Sequence, residues 1–424
     1  MTNTKHNPFA PQGRILSTPG SHPGNDRGMH TALTQDAPLT EAPQLITLRR
    51  SRRAANAVRR AANAARRAPV RNLRKAAKKK APAKPKTPRP NSSELLPWLS
   101  YEKVIVMFSG GKDSIASVIA LLEAGCPAHL IELWHQDVDG AQGDRAYADW
   151  PVTRAYCEAF AKATGLPILF QWRAGGFRTE MFKSEGLSGD IQGEMPDGSV
   201  VNLPFTGNPD TRLAFPQQGG PVTRWCSSSI KIEPANRIIN HRWGRSTKFK
   251  GNLLVITGER REESPGRAVY PEIQKHATHT KTLKRVDHWR PVVAWSEEQV
   301  WAALQRWGVQ AHPAYHVGWS RVSCMTCVFN EGQEWSALRA IFPERYEEVV
   351  ADEGHFPMTI HRERDVAGQI IKVEDDGVKP VSHGVPAETI AQALGHAFDA
   401  DHILVDPETW TLPKGAYKGG GGPS

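Results

Sequence analysis

At 424 residues the chain is long enough to bury a full α/β core in one main domain with appendages. No apolar run approaches the roughly 20 residues that span a bilayer, and the N-terminus lacks the apolar core of a secretory signal; a soluble, cytoplasmic protein is expected. Five cysteines (Cys126, Cys157, Cys226, Cys324, Cys327) in so long a chain argue against a disulfide framework and suit a reducing compartment, with metal or redox roles for some of them. The net charge of +10 is unevenly spread. Arg49 to Arg89 hold 17 of the 54 Lys and Arg and no Asp or Glu, so losing those 17 charges would leave the rest at −7.

Residues 1–48, rich in Pro, Gly, Ser, Thr and Asn, read as disordered. A basic tail follows over 49–96. Within it Arg52-Arg53-Ala-Ala-Asn-Ala-Val58 recurs as Arg59-Arg60-Ala-Ala-Asn-Ala-Ala65 and closes on Arg66-Arg67. As a helix, this alanine-based repeat would set its arginine pairs on one stripe; self-repulsion keeps it unfolded until a polyanion relieves it. Lys75 to Pro90 is an extended Lys/Ala/Pro tract. Residues 49–90 therefore point to sequence-independent contact with nucleic acid, the plainer reading being a solvated tail.

The folded domain is expected from near Leu95, with a main body over 97–345 and a C-terminal extension over 346–424. Strand-like and helix-like runs alternate: Val104–Phe108, Ile115–Ala124, His129–Trp134, Thr153–Thr164 and Ile168–Trp172. That order predicts a parallel sheet covered by helices on both faces. Met195 to Val201 reads as a hairpin with an Asp-Gly turn, Ile230–Trp243 as a helix and Leu253–Thr257 as a buried strand. Ser296 caps a helix over Glu297–Trp307, with Glu298 or Gln299 near the capping-box position. Ala337–Val350 reads as helical apart from Pro343; the remainder is less regular and ends in the flexible run Gly419–Gly422.

The first strand ends in Ser109-Gly110-Gly111-Lys112-Asp113-Ser114, and a helix follows at once. Glycine accepts positive φ and lets a ligand approach. The first helical N–H groups lack partners at the positive end of the helix dipole, and Lys112 adds a full charge. Nucleotide phosphate is the natural guest. The spacing differs from GxxxxGK[ST], so this is another kind of phosphate cradle.

Four further segments carry chemistry. In Arg224-Trp225-Cys226-Ser-Ser-Ser-Ile230-Lys231, a cysteine just before a helix is expected to have a depressed pKa and to serve as thiolate nucleophile or metal ligand; this segment alone fits a buried, inert thiol as well. Gly258-Glu259-Arg260-Arg261-Glu262-Glu263-Ser264-Pro-Gly-Arg267 follows a strand, where loops line the ligand crevice of α/β sheets, and its arginine forks suit phosphate or sulfate. His288-Trp289-Arg290-Pro291 fits either a pocket wall or a core strand. Cys324-Met-Thr-Cys327, preceded by His312 and His316, suits zinc, an iron–sulfur cluster or a reversible disulfide; His312, His316 and Cys226 are the candidates to complete a zinc site.

Taken in order, these segments resemble the phosphoadenosine-phosphosulfate reductase family of the PP-loop ATP pyrophosphatase superfamily, over about Lys103 to Phe329. The resemblance implies a nucleotide α-hydrolase-like, Rossmann-like fold with adenosine across the carboxyl edge of the sheet. It implies that Ser109, Gly110, Gly111, Lys112, Asp113 and Ser114 bind phosphate, that Asp137 lies near the adenosine, and that Lys231 with Arg260 or Arg261 grips the anionic end of the ligand. Two features depart from the reductases. No cysteine follows Cys327, where sulfonucleotide reductases carry a nucleophile near the terminus, and Trp225 replaces the first cysteine of the iron–sulfur members. Cys226, Cys324 and Cys327 would still suffice for a [4Fe-4S] cluster with one open iron, with Cys157 as a candidate fourth ligand. The loop itself is closer to the ATP sulfurylase small subunit and to DNA phosphorothioation enzymes.

The leading expectation is an enzyme that binds ATP with Mg²⁺ and adenylates a substrate with release of pyrophosphate, with Lys112, Asp113 and Cys226 as catalytic candidates. Sulfur transfer to nucleic acid is its sharpest version. The alternatives are sulfonucleotide reduction and a nucleotide-sensing, nucleic-acid-binding protein.

Overall fold

The computed structural model describes residues 87–143, 146–218, 223–322, 324–361 and 363–417. The segment 1–48, the tail as far as residue 86 and the run Gly419–Gly422 lie outside the described residues. Eight strands form one sheet: β1 (Lys103–Met107), β2 (Ile131–Asp137), β3 (Ile168–Arg173), β4 (Ile191–Glu194), β5 (Val200–Leu203), β6 (Gly251–Ile256), β7 (Ile273–Lys275) and β8 (Lys284–Trp289). Their spatial order is β5-β4-β3-β2-β1-β6-β8-β7. The five central strands are parallel; β4, β5 and β7 are antiparallel additions at the edges. From β1 the chain first builds outward through β2 and β3, then returns to lay β6 and β8 on the other side. The reversal falls between β1 and β6.

The central strands are apolar at consecutive positions because both faces are covered. Val104 and Val106 of β1 face one core, shared with Leu254 and Ile256 of β6, while Ile105 faces the other with Leu253 and Val255. Helices α1 (Lys112–Glu123) and α2 (Thr153–Thr164) contribute Ile115, Val118 and Phe160 to the first core. α4 (Glu233–Arg242), which follows the short α3 (Gly176–Met181), contributes Ile238 and Ile239 to the second. A third core joins Trp150, Phe177 and Trp225 to Trp319, Trp335, Val349 and Ile370. Its later members belong to α7 (Gly332–Ile341), α8 (Pro343–Glu353) and α9 (Val366–Asp375), which follow α5 (Glu297–Arg306) and α6 (Pro313–Val317). The last helix is α10 (Ala387–Leu394).

The βαβαβ order, the Asp-Gly hairpin turn and the cap on α5 form as the sequence indicates; Ser296 and Gln299 close a reciprocal capping box. Three stretches differ. The helix expected over Ile230–Trp243 starts earlier, as a π-helical turn over Ser227–Ile232, because Pro234 has no N–H to donate into the preceding turn. The helix expected over Ala337–Val350 is two helices broken at Phe342 (φ −144°, ψ 67°), where Pro343 denies its predecessor the helical region. The C-terminal stretch read as irregular contains α9, capped by Asp365 accepting from Gly368 N at 2.7 Å, and α10. No described helix is long and apolar enough to cross a membrane.

Candidate functional site

The loop Phe108–Gly111 leaves the carboxyl end of β1, and Thr257–Arg260 leaves that of β6, so the two flank the reversal in strand order. Ligands of open α/β sheets bind at such a point. Two glycines permit close packing here, Gly110 of its loop on α2 and Gly258 of the β6 loop on the head of α1. Gly110 has φ +74°, and a Cβ there would stand 3.0 Å from Cys157 Sγ. A Cβ on Gly258 would stand 2.7 Å from the carbonyl oxygen of Asp113. Between the loops lies a cleft of about 460 Å³, lined by Ser109, Gly111, Lys112, Asp113, Ser114, Lys231, Arg260 and Cys324 among the candidate site residues named from sequence.

Lys112 is nearly buried, its Nζ 3.4 Å from Asp113 Oδ2, 3.7 Å from Glu297 Oε1 and 3.4 Å from the carbonyl oxygen of Ser320. Burial acts to lower its pKa, yet the Asp113 carboxylate, with Tyr315 and Glu297, lifts it above the ordinary lysine value. It is a fixed cation. Arg260 Nε donates to Asp113 Oδ1 at 2.6 Å. Burial pushes the Asp113 carboxyl up, but Lys112 and Arg260 outweigh it and hold the group below its ordinary value. One carboxylate thus sits between two cations at the head of α1. Glu259 is likewise held ionised against burial by His288 and Arg290; its carboxylate accepts from Thr257, whose Oγ1 lies 2.6 Å from His288 Nε2. In the His288–Pro291 segment, His288 and Trp289 therefore end a core strand, β8, and the histidine supports the β6 loop.

Of the adjacent pair Arg260 and Arg261, Arg260 lines the cleft, while Arg261 Nε donates to the carbonyl oxygen of Tyr270 at 3.1 Å. Asp137, the last residue of β2, pairs with Arg154 at 3.3 Å. Burial, Asp149 and Asp139 push its carboxyl up to about 7 in spite of Arg154. Burial and Asp139 push Asp149 up to about 6. Lys231 faces Cys324 and Asp149, and these raise its pKa.

The thiols behave differently from the expectation for a helix-start cysteine. Cys226 precedes a helical turn, yet burial, with Cys327 as neighbour, raises its pKa to about 11; dehydration outweighs the few N–H dipoles of a π turn. Burial also raises Cys324 well above the thiol value. Cys327 acts on Cys226, both act on Cys324, and all three act on Lys231, so the fold does bring them together. Among the described residues, however, no three His, Cys, Asp or Glu side chains are arranged to hold a metal ion. Cys157 lies under the loop, 3.5 Å from His135 Nδ1. His312 caps α6, Nδ1 accepting from Ala314 N at 3.2 Å, and burial drops its pKa to about 3.

Other cleft residues carry no motif of their own. His135, Gln136 and Asp149 line it from β2 and from the segment before α2, and Tyr315, Ser320 and Val322 line it from α6 and the loop beyond. His135 Nδ1 is 2.9 Å from the Phe108 carbonyl oxygen, and burial lowers its pKa to about 4, leaving it neutral. Its place at a carboxyl strand end was the one sequence signal that could have found it.

Residues 205–329 match the profile of the phosphoadenosine phosphosulfate reductase domain, a span that includes Cys226, Lys231, Arg260, Cys324 and Cys327. An uncharacterised 37.8 kDa protein of Escherichia phage 186 is 27% identical over 256 residues, 58% of this chain and 72% of the phage protein. Adenosine 5′-phosphosulfate reductases of Burkholderia cepacia and Allochromatium vinosum are each 27% identical, over 24% and 25% of this chain; the aligned parts span 35% and 36% of those enzymes. Among solved structures, the FMN adenylyltransferase of Candida glabrata, in complex with FMN and the ATP analog AMPCPP, is 10% identical with a TM-score of 0.29, covering 69% of this chain and 82% of that one. Over residues 205–329 the chain carries a domain of the phosphoadenosine phosphosulfate reductase family.

Proposed function

We propose that the cleft binds ATP together with its Mg²⁺ and that the chain adenylates a substrate. A nucleophile of the substrate attacks the α-phosphorus, the bond from that phosphorus to the α–β bridging oxygen breaks, and pyrophosphate leaves. The observation that carries this reading is the Lys112–Asp113–Arg260 arrangement at the head of α1, at the reversal in strand order. Backbone N–H groups, a buried lysine and an arginine meet there in one cleft. Such fixed positive groups stabilise charge gathering on a departing pyrophosphate without having to reorganise. Mg²⁺ bound to the triphosphate would neutralise further charge. Lys231 supports a second point of attachment for the anionic ligand, and Asp137 is suited to the adenosine side. A nucleic acid as acceptor rests on the charge of residues 49–90.

ATP–pyrophosphate exchange tests the reading: Lys112→Ala and Asp113→Ala should each abolish it, and exchange that survives both would sink the assignment. Sulfonucleotide reduction is the second reading, favoured by the two reductases among the relatives. The raised pKa values of Cys226 and Cys324 weigh against it, since the thiolate is the nucleophile. Sulfite release from adenosine phosphosulfate, lost in Cys226→Ser, would reverse that ranking.

A further inference from the structure

Another hollow lies at the opposite end of the sheet from the cleft. It encloses about 600 Å³ where β6 and β8 begin, at Gly251 and Lys284. Lys275, Lys281, Lys284 and Arg285 line it, and Glu94 is the one carboxylate among the described residues that do. Arg285 is compensated by Asp287, to which its Nε donates at 2.8 Å. The three lysines are not. Lys275 and Lys281 are exposed and form no ion pair among the described residues. Lys284 is 2% exposed, yet its Nζ donates to a neutral carboxamide, Asn240 Oδ1, at 2.7 Å. Burial lowers the Lys284 pKa. Burial first, then Lys275, lowers that of His279, which also lines the hollow; Arg285 adds to the fall and Asp287 opposes it.

The chain reaches this hollow along the edge of the sheet. Arg89 N donates to the carbonyl oxygen of Val269 at 3.0 Å, Ser92 N to that of Ile273 at 3.2 Å, and Ile273 N to Asn91 Oδ1 at 3.0 Å. Residues 92–96 then line the hollow. In sequence they follow directly on the run Arg49 to Arg89, with its 17 Lys and Arg and no aromatic side chain. Lysines left without carboxylates suit phosphodiester oxygens, and the hydroxyls of Ser92 and Thr282 add donors of the kind that fix a backbone in register. A lipid surface is the poorer fit, because the basic run brings no aromatic anchor to an interface. We infer that this hollow, at the amino end of the sheet, is a docking site for the phosphodiester backbone of a nucleic acid. A strand engaged by the basic run is raised in local concentration at the residues that follow it. The inference shares the nucleic-acid partner of the proposed function but needs neither the ATP cleft nor its chemistry.

The test is fluorescence anisotropy of the full chain with a labelled oligothymidylate, repeated from about 50 to about 200 mM salt. K275Q/K281Q is compared with a charge-matched control, K372Q/K379Q, at α9 and just beyond it. All four lysines are exposed, so neither pair disturbs the core. K275Q/K281Q is expected to weaken binding about tenfold or more. It should also reduce the slope of log affinity against log salt by about 1.4, two phosphate contacts at about 0.7 each. The control should change affinity by less than about twofold. Binding that K275Q/K281Q leaves undiminished, or lowers no further than the control does, overturns the inference and leaves the basic run as the contact. A wild-type chain that ignores the oligonucleotide overturns it together with the nucleic-acid partner. Tighter binding to phosphatidylserine vesicles than to the oligonucleotide also overturns it, and assigns the hollow to a lipid surface. The ATP reading stands or falls separately, on pyrophosphate exchange.

Discussion

The phenolic oxygen of Tyr315 accepts a hydrogen bond from the backbone N–H of Lys112 at 3.1 Å and a second from the backbone of Val322. One hydroxyl thus ties the head of α1 to the loop after α6, and it occupies an N–H that a phosphate oxygen would otherwise take. Tyr315 is 1% exposed and Lys112 is also buried, so in the free chain the Lys112 donor depends on this hydroxyl. Tyr315→Phe is expected to destabilise the free chain by about 1–3 kcal/mol, the cost of unpaired buried donors. If phosphate replaces the hydroxyl at Lys112, the deficit narrows when a saturating ATP analogue is present. Thermal melts with and without the analogue check this; a deficit that nucleotide leaves untouched makes the tyrosine purely structural.

Asp113 holds Lys112 and Arg260 on either side of one carboxylate. Removing its charge leaves two crowded, largely buried cations, and breaking a buried pair typically costs about 3–5 kcal/mol. Asp113→Asn should therefore cost stability as well as ATP–pyrophosphate exchange. In a double-mutant cycle with Arg260→Gln, the two changes should couple by about 0.5–3 kcal/mol. Strict additivity in denaturant unfolding would show that the 2.6 Å contact contributes nothing.

The carboxyls of Asp137 and Asp149 give the fold a pH dependence of unusual sign for acids. Their pKa values are raised by burial, to about 7 and about 6. The folded chain therefore keeps protons that the unfolded chain releases near pH 4. The stabilisation is full below about pH 4 and is lost as pH rises to about 7. Asp137→Asn removes one of these groups and should flatten the slope, gaining at least about 1 kcal/mol relative to wild type at pH 8. Unfolding by urea at pH 5 and pH 8 measures it; a variant that gains nothing at pH 8 would show that Arg154 compensates the buried charge in full.

Thiol reactivity follows from the same physics. With Cys226 raised to about 11 and Cys324 also raised by burial, little thiolate is present at neutral pH. Alkylation of Cys226 by iodoacetamide at pH 7.5 should be at least about tenfold slower than in the unfolded chain, and should accelerate towards pH 10. Peptide mass spectrometry over a time course reads both rates. Fast labelling at pH 7.5 would restore the nucleophile reading.

Much of this site was legible before any coordinates. The loop Ser109–Ser114 sits where an apolar run meets a helix, and local chemistry alone points it out as a candidate phosphate cradle. Arg260 was narrowed only to a pair, because adjacent residues of a loop point in different directions and sequence does not say which faces inward. The cysteine before a helix misled, since a dipole argument contains no burial term, and Cys226 is dehydrated by Trp225, Phe177 and their neighbours. Asp149 and Tyr315 owe their places to long-range packing. Each lies more than 30 residues from the loop, and the fold brings both to the cleft, Tyr315 through the first core.

Gly258 offers the most direct test of that packing. It places the β6 loop against the first turn of α1, and its missing Cβ is what permits the contact: an added methyl would stand 2.7 and 2.8 Å from the backbone O and C of Asp113 and 3.1 Å from Ser114 N. Backbone atoms cannot rotate away as a side chain can, so the two loops must separate. Overpacking of this kind costs about 1–3 kcal/mol. The separation also draws Arg260, two residues on, away from Asp113. Gly258→Ala should therefore keep the fold, lose about 1–3 kcal/mol of stability, and weaken ATP-analogue affinity by a larger factor than a conservative change elsewhere on β6, such as Val255→Ile. Melting curves and calorimetry on the two variants separate the effects; equal nucleotide affinity in both would mean that the β6 loop does not contribute to the phosphate cleft.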